Sequence, residues 1–293
     1  MRVMEFLTGL FEYAFLQKAL FTSVMVGIIC GVIGCFIILR GMALMGDAIS
    51  HAVLPGVAIS YMLGINFFFG AVLTGVLTAI GIGYVSQNSR IKNDSAIGIV
   101  FTAFFSIGII LITFLKSSSD LYHILFGNVL AVRSSDMWIT LGIGIFILLA
   151  VIVFYKELLI SSFDPVISSV YGLPNRMIHY FLMTLLTLVT VASLQTVGII
   201  LVVAMLITPA ATAYLLTDRL WIMIYLSAFF GAVSAVVGLG LSFTYNLSSG
   251  ASIVLVATIL FGSAFIFSPK QGILWRSLKS KRKRTQLKKE ASM

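Results

Sequence analysis

The chain has 293 residues, of which 60% are hydrophobic and only 10% are charged, and its mean hydropathy is +1.10. Soluble globular domains contain about 45–50% apolar and about 25% charged residues, so this composition excludes a soluble protein. It equally excludes an intrinsically disordered one, which would need low hydrophobicity. At about 20 residues for each membrane-spanning helix, the length predicts an all-α, polytopic transmembrane helix bundle of roughly eight to ten spans.

The net charge of +9 is concentrated at the carboxyl terminus. Residues 270–293 hold nine Lys and Arg residues and one acid, which gives this short segment a net charge of +8. The basic character therefore belongs to a tail at 269–293 and not to a nucleic-acid-binding surface. We expect no nucleic acid among the partners.

The first 17 residues lack the basic start and the small-residue cleavage site of a signal peptide, and they contain Glu5 and Glu12. We expect an interfacial segment at 1–17 that leads into a transmembrane domain at 18–268. Polar residues divide this domain into nine candidate spans, with eight as the alternative. The predicted spans are 18–39, 43–63, 67–86, 95–115, 137–156, 177–194, 197–216, 221–243 and 250–268.

The weakest division lies within 177–216, where only Gln195, Thr196 and Gly198 interrupt the apolar run. At 1.5 Å per residue this run is too long for one helix across about 30 Å of hydrocarbon. Two helices joined by a tight turn fit it better.

The distribution of Lys and Arg residues orients the bundle through the positive-inside rule. With the tail on the cytoplasmic side, that side holds fifteen of these residues and the opposite side holds four. Without the tail the division is six to four. We therefore predict an external N-terminus and a cytoplasmic C-terminus.

The second span carries a pair of ionisable side chains, Asp47 and His51. Four residues apart, they share one helix face one turn apart. A carboxylate and an imidazole at this spacing can together bind a divalent ion such as Mn²⁺, Fe²⁺ or Zn²⁺. Pro55 has no amide hydrogen and therefore frees the His51 carbonyl at the same level of the helix. From the residues alone, a structural Asp–His hydrogen bond and a proton relay remain open.

The long connection at 157–176 is predicted to lie on the cytoplasmic side and to contain a short helix at about 160–175. Asp164 followed by Pro165 is typical of an N-cap and a first helical residue, and Gly172 and Pro174 end the helix. A helix of this kind suits docking of a soluble partner, although a simple connector explains the spacing nearly as well.

The sequence contains no P-loop, GxGxxG, GxSxG or HExxH motif. We therefore expect no enzyme activity from this chain itself. Four stretches nevertheless resemble the membrane permease of bacterial ABC importers for manganese, zinc and iron, over about residues 10–272. They read GCFIILRGMALMGDAISHAVLPGVAIS, DLYHILFGNVLAV, SSFDPVISSVYGLP and LQTVGIILVVAMLITPAATAYL, and they are most similar to the manganese branch of Gram-positive bacteria.

This resemblance implies a homodimeric, multi-pass permease of the bacterial plasma membrane that works by alternating access. It also implies a separate cytoplasmic ATPase subunit, an extracellular metal-binding lipoprotein and no permanently bound cofactor. The transported ion would be Mn²⁺, with Zn²⁺ or Fe²⁺ as the alternative within the family. A proton-coupled secondary metal transporter is the alternative from another class.

The resemblance also assigns roles to residues. The intramembrane metal site of the family maps onto Asp47 and His51, beside the helix kink at Pro55. Its ATPase-coupling helix maps onto the 160–175 region, where the relevant residues are Phe163, Asp164, Pro165 and Gly172.

Overall fold

A computed structural model describes residues 12–114 and 129–268, and all of its regular structure is helical. Helices suit a membrane because their backbone amides and carbonyls pair within the same segment. In chain order the helices are α1 (Ala14–Leu39), α2 (Met45–Ala52), α3 (Leu54–Leu63), α4 (Phe67–Asn88), α5 (Asn93–Phe114), α6 (Ser134–Val153), α7 (Tyr155–Phe163), α8 (Pro165–Val170), α9 (Asn175–Val197), α10 (Ile199–Leu216), α11 (Leu220–Tyr245) and α12 (Ser249–Phe267), with a 3-10 turn at Val129–Ala131 before α6.

Within the described ranges, eight helices are long and apolar enough to cross a membrane: α1, α4, α5, α6, α9, α10, α11 and α12. The all-α class is thus confirmed. The predicted span at 43–63 is not one uninterrupted helix but the two short helices α2 and α3, which meet at Val53. Pro55 explains the break because it cannot donate the backbone hydrogen bond that a continuous helix needs at that point.

The apolar stretch at 177–216 forms two helices, as predicted. They meet at Gly198, whose positive φ of 84° is easily reached only without a side chain.

Near the N-terminus, α1 begins at Ala14, four residues before the predicted span. Residues 1–11, 115–128 and 269–293 lie outside the described residues, and with them most of the predicted interfacial segment and the basic tail.

Helix α1 is the most buried of the eight long helices and packs closely against α11 and α10. A Cβ atom on Gly27 would lie 2.7 Å from the Gly231 carbonyl oxygen, so the two backbones are in direct contact. One turn along, the Ser227 hydroxyl donates to the Gly31 carbonyl at 2.9 Å. Small residues at helix crossings allow this close approach in membranes. Helix α1 is therefore at the centre of the bundle, and α2 follows directly after it in the chain.

Candidate functional site

The segment that carries the predicted metal ligands begins at a tight turn after α1. The Gly41 amide, at a residue with φ of 65°, donates to the Ile38 carbonyl oxygen at an N–O distance of 3.1 Å. The Met42 amide donates to the Ile37 carbonyl oxygen at 3.0 Å. These two bonds form a Schellman motif with Arg40 as the C-cap. Since Met42 and Met45 are buried beyond this turn, the start of α2 is held at a defined place beside the end of α1.

Asp47 and His51 lie one turn apart on α2, as predicted from their spacing. Asp47 Oδ1 and His51 Nε2 are 3.6 Å apart, and the side chains are 49% and 31% exposed, respectively. A distance of 3.6 Å is too long for a hydrogen bond, so the geometry does not favour the purely structural Asp–His bond. Because both side chains are partly exposed, an ion can reach them.

An aromatic wall on α5 covers one side of the His51 ring. The ring centroid lies 5.9 Å from that of Phe101 and 5.5 Å from that of Phe105, which it meets edge-on. One further turn along α5, a Cβ on Gly108 would be 2.7 Å from Leu54 Cβ. Sequence reasoning missed this wall, because aromatic residues at helical spacing in an apolar run are equally typical of a lipid-facing surface.

The helix break beside the pair is supported by α4. The Val53 amide donates to the Ile49 carbonyl at 3.2 Å and closes α2, while Pro55 lies in the first turn of α3. The Thr74 hydroxyl of α4 donates to the Val53 carbonyl at 3.3 Å. The helix is thus broken beside Pro55, but the His51 carbonyl is not left free as predicted, because it accepts a backbone amide at the end of α2. A ligand role of this carbonyl stays a prediction.

The pair supplies only two ligands in one copy of the chain. No group of three or more His, Cys, Asp and Glu side chains that could hold a metal occurs within residues 12–114 and 129–268. Divalent transition metals are usually held by four to six ligands. A transported ion at Asp47 and His51 thus needs ligands beyond the His, Cys, Asp and Glu side chains of the described residues.

The predicted short helix of the 157–176 connection is present as α8, with the predicted caps. Asp164 Oδ1 accepts the amides of Val166 and Ile167, each at 2.9 Å. Gly172, with φ at 72°, ends the helix. The helix has six residues and is shorter than the predicted 160–175 because α7 occupies the first part of that range.

The outer face of α8 is apolar and exposed. Val166 is 73% exposed and Val170 is 82% exposed. Phe163, immediately before the cap, is exposed as well and lines a groove shared with Leu220 and Trp221 at the start of α11. The structure thus brings the predicted site residues together in two groups, one on α2–α3 and one on α7–α8.

Comparison with known proteins gives consistent matches over nearly the whole chain. The family model "ABC 3 transport family" matches residues 12–268. The manganese transport system membrane protein MntC of Listeria innocua is 70% identical over 276 residues, which is 94% of this chain and 99% of that protein. The manganese import system permease protein ScaB of Streptococcus gordonii is 54% identical over 277 residues, or 94% of this chain and 100% of that protein.

A solved structure shares the fold. The structure of PsaBC from Streptococcus pneumoniae in complex with Fab contains a chain that is 55% identical and matches with a TM-score of 0.85. The match covers 95% of this chain and 99% of that one. The helical arrangement described above is therefore also that of a solved relative.

Proposed function

Since the chain belongs to the ABC 3 transport family, we propose that it is the membrane permease of an ATP-driven manganese importer. It is a multi-pass protein of the bacterial plasma membrane and not itself an enzyme, because a separate subunit hydrolyses the ATP. The observation that carries the choice of Mn²⁺ is the set of manganese permeases that are 54–70% identical over almost their full lengths. The Asp–His pair alone does not choose the ion, since Zn²⁺ generally binds such sites more tightly than Mn²⁺.

We propose Asp47 and His51 as the side chains that hold the ion during passage. A carboxylate oxygen and an imidazole nitrogen suit Mn²⁺, and both side chains are partly exposed on one face of α2. Phe101 and Phe105 contact the His51 ring, and we expect these contacts to limit the orientations that the ring can adopt. Such restriction reduces the rotamer freedom that would otherwise be lost when the ion binds.

A second copy of the permease would complete the ligand shell. Two copies facing each other would offer two carboxylates and two imidazoles, which reaches the four to six ligands usual for such ions. Helix α5, which lies against His51, is the least buried of the eight long helices and so leaves a face beside the site for a partner. These observations support a homodimer with the ion path near its interface.

The proposed cycle is alternating access. An extracellular lipoprotein delivers the ion to Asp47 and His51, and the cytoplasmic ATPase docks on the exposed face of α8. ATP-driven closure of the ATPase displaces α7–α8 and shifts the bundle between two packings, of which each opens the site to one side. The site must bind weakly enough to release its ion.

The cap of α8 offers a test of the docking role. Asp164→Ala removes the acceptor of two backbone amides, which costs about 1 kcal/mol of helix stability. We therefore expect about fivefold weaker binding of the ATPase to the detergent-solubilised permease. Asp164→Ser, which keeps an N-cap oxygen, should bind like the wild type. Equal affinity of the alanine variant would contradict docking through an ordered α8.

The function itself is tested with the permease–ATPase complex in proteoliposomes loaded with the binding lipoprotein. We expect Mn²⁺ to accumulate only when ATP is hydrolysed. ATP-dependent accumulation of Zn²⁺ but not of Mn²⁺ would overturn the choice of ion. Accumulation driven by a proton gradient without ATP would instead favour the secondary transporter.

A further inference from the structure

Arg40 contacts two serines that lie far from it in the chain, and the transport cycle proposed above assigns this contact no role. It is the C-cap of α1, and its guanidinium donates from Nη2 to Ser161 Oγ at 2.8 Å and from Nε to Ser162 Oγ at 3.1 Å. Both serines are buried on α7. Burial lowers the pKa of Arg40 to about 10, which still leaves the group charged at neutral pH.

On one side, Arg40 holds the end of α7 where α8 begins. Ser161 and Ser162 directly precede Phe163 and the Asp164 cap. No flexible linker separates the two hydroxyls from α8, so a displacement of α8 also displaces the groups that hold the guanidinium.

On the other side, Arg40 connects to the candidate metal ligands through a rigid turn. The Schellman motif joins it to α2, and Asp47 follows seven residues later. The turn and the first residues of α2 are packed as one unit, since Met42 and Met45 are buried and a Cβ on Gly46 would lie 2.8 Å from Leu206 Cδ1. A pull on Arg40 is therefore passed on to α2.

We infer that Arg40 is a positioning residue that couples movement of the α7–α8 element to the metal-binding segment, through its hydrogen bonds to Ser161 and Ser162. This inference rests on the proposed function. The contact requires arginine in particular, because its planar guanidinium presents two donors in a fixed geometry to two neighbouring acceptors. A lysine ammonium cannot do this. Without the contact, α8 can follow the ATPase while Asp47 and His51 stay in place.

The expected consequence is uncoupling of ATP hydrolysis from transport. In proteoliposomes with the complete complex, the number of Mn²⁺ ions imported per ATP hydrolysed should fall at least about fivefold in Arg40→Ala, the lower end of typical coupling effects between sites. ATP hydrolysis itself should persist. Arg40→Lys should restore only part of the ratio. Lys156→Ala, which removes an exposed cation from the same helix α7, is the matched control and should keep the wild-type ratio.

The serines provide an independent variant that retains the arginine. The Ser161→Ala/Ser162→Ala double variant should lower the ratio in the same direction, and adding Arg40→Ala to it should lower the ratio no further. An unchanged ratio in Arg40→Ala overturns the inference, and if that variant fails to assemble, an unchanged ratio in the serine variant does so. A wild-type complex that imports no Mn²⁺ with ATP would overturn the proposed function instead.

Discussion

Replacing Asp47 or His51 with alanine is expected to abolish Mn²⁺ uptake while the permease still assembles with its ATPase. Each replacement removes one of the two ligand side chains that a copy contributes, and in a homodimer it removes half of the four. Loss of an outer-shell partner alone typically costs 10–100-fold in metal affinity or activity, so uptake should fall by more than about 100-fold. The measurement is ATP-dependent Mn²⁺ accumulation in proteoliposomes, together with co-purification of the ATPase.

A matched control separates the loss of a ligand from the loss of a charge. Asp94 is an exposed acid in the first turn of α5, and Asp94→Asn should transport like the wild type while Asp47→Asn should not. Full uptake in the Asp47 or His51 alanine variant would refute the site assignment. It would leave the permease function itself standing.

Gly56→Ala is expected to destabilise the protein strongly, because it adds a methyl group where α3 crosses α4. A Cβ at Gly56 would run into the Gly70 carbonyl oxygen and the Thr74 hydroxyl, and a Cβ at Gly70 would in turn meet the Gly56 carbonyl. Backbone atoms cannot turn aside as a flexible side chain can. Overpacking of this kind costs about 1–3 kcal/mol or more. The midpoint of thermal unfolding of the detergent-solubilised permease measures the effect.

Gly98→Ala on α5 is the matched control for this substitution. A Cβ there meets no described atom within 4 Å, and alanine has the higher helix propensity. Its unfolding midpoint should therefore equal or exceed that of the wild type. A Gly56→Ala variant as stable as Gly98→Ala would contradict the close α3–α4 crossing. Because Gly56 adjoins Pro55, the same displacement of α3 should also reduce uptake.

Features decided by neighbouring residues could be predicted from the sequence. The caps of α8 follow from Asp164 and Gly172, since one side-chain oxygen satisfies the first amides and one glycine adopts positive φ. The Asp47–His51 pair follows from a spacing of four on a helix. The predicted orientation of the termini stays a prediction.

The structure of the second predicted span could not be predicted from local sequence alone. Apolar length indicated one helix over 43–63, yet the chain forms α2 and α3, with the break at Val53. Pro55 was expected to free one carbonyl and not to divide the span, and the break lies against Gly70 and Thr74 of α4, with the Thr74 hydroxyl donating to the Val53 carbonyl. Hydropathy contains no information about that neighbour.

By itself, the sequence determined the all-α membrane class, the short capped helix, the candidate ligand pair and the family, because composition, helical spacing and local motifs contain this information. The tertiary structure decided what surrounds these features. It placed Phe101 and Phe105 against His51, and it joined Arg40 to Ser161 and Ser162, more than 120 residues away in the chain. The physical reason is that side-chain contacts between helices depend on how their surfaces pack, and in an almost uniformly apolar chain the hydropathy pattern does not specify which faces meet.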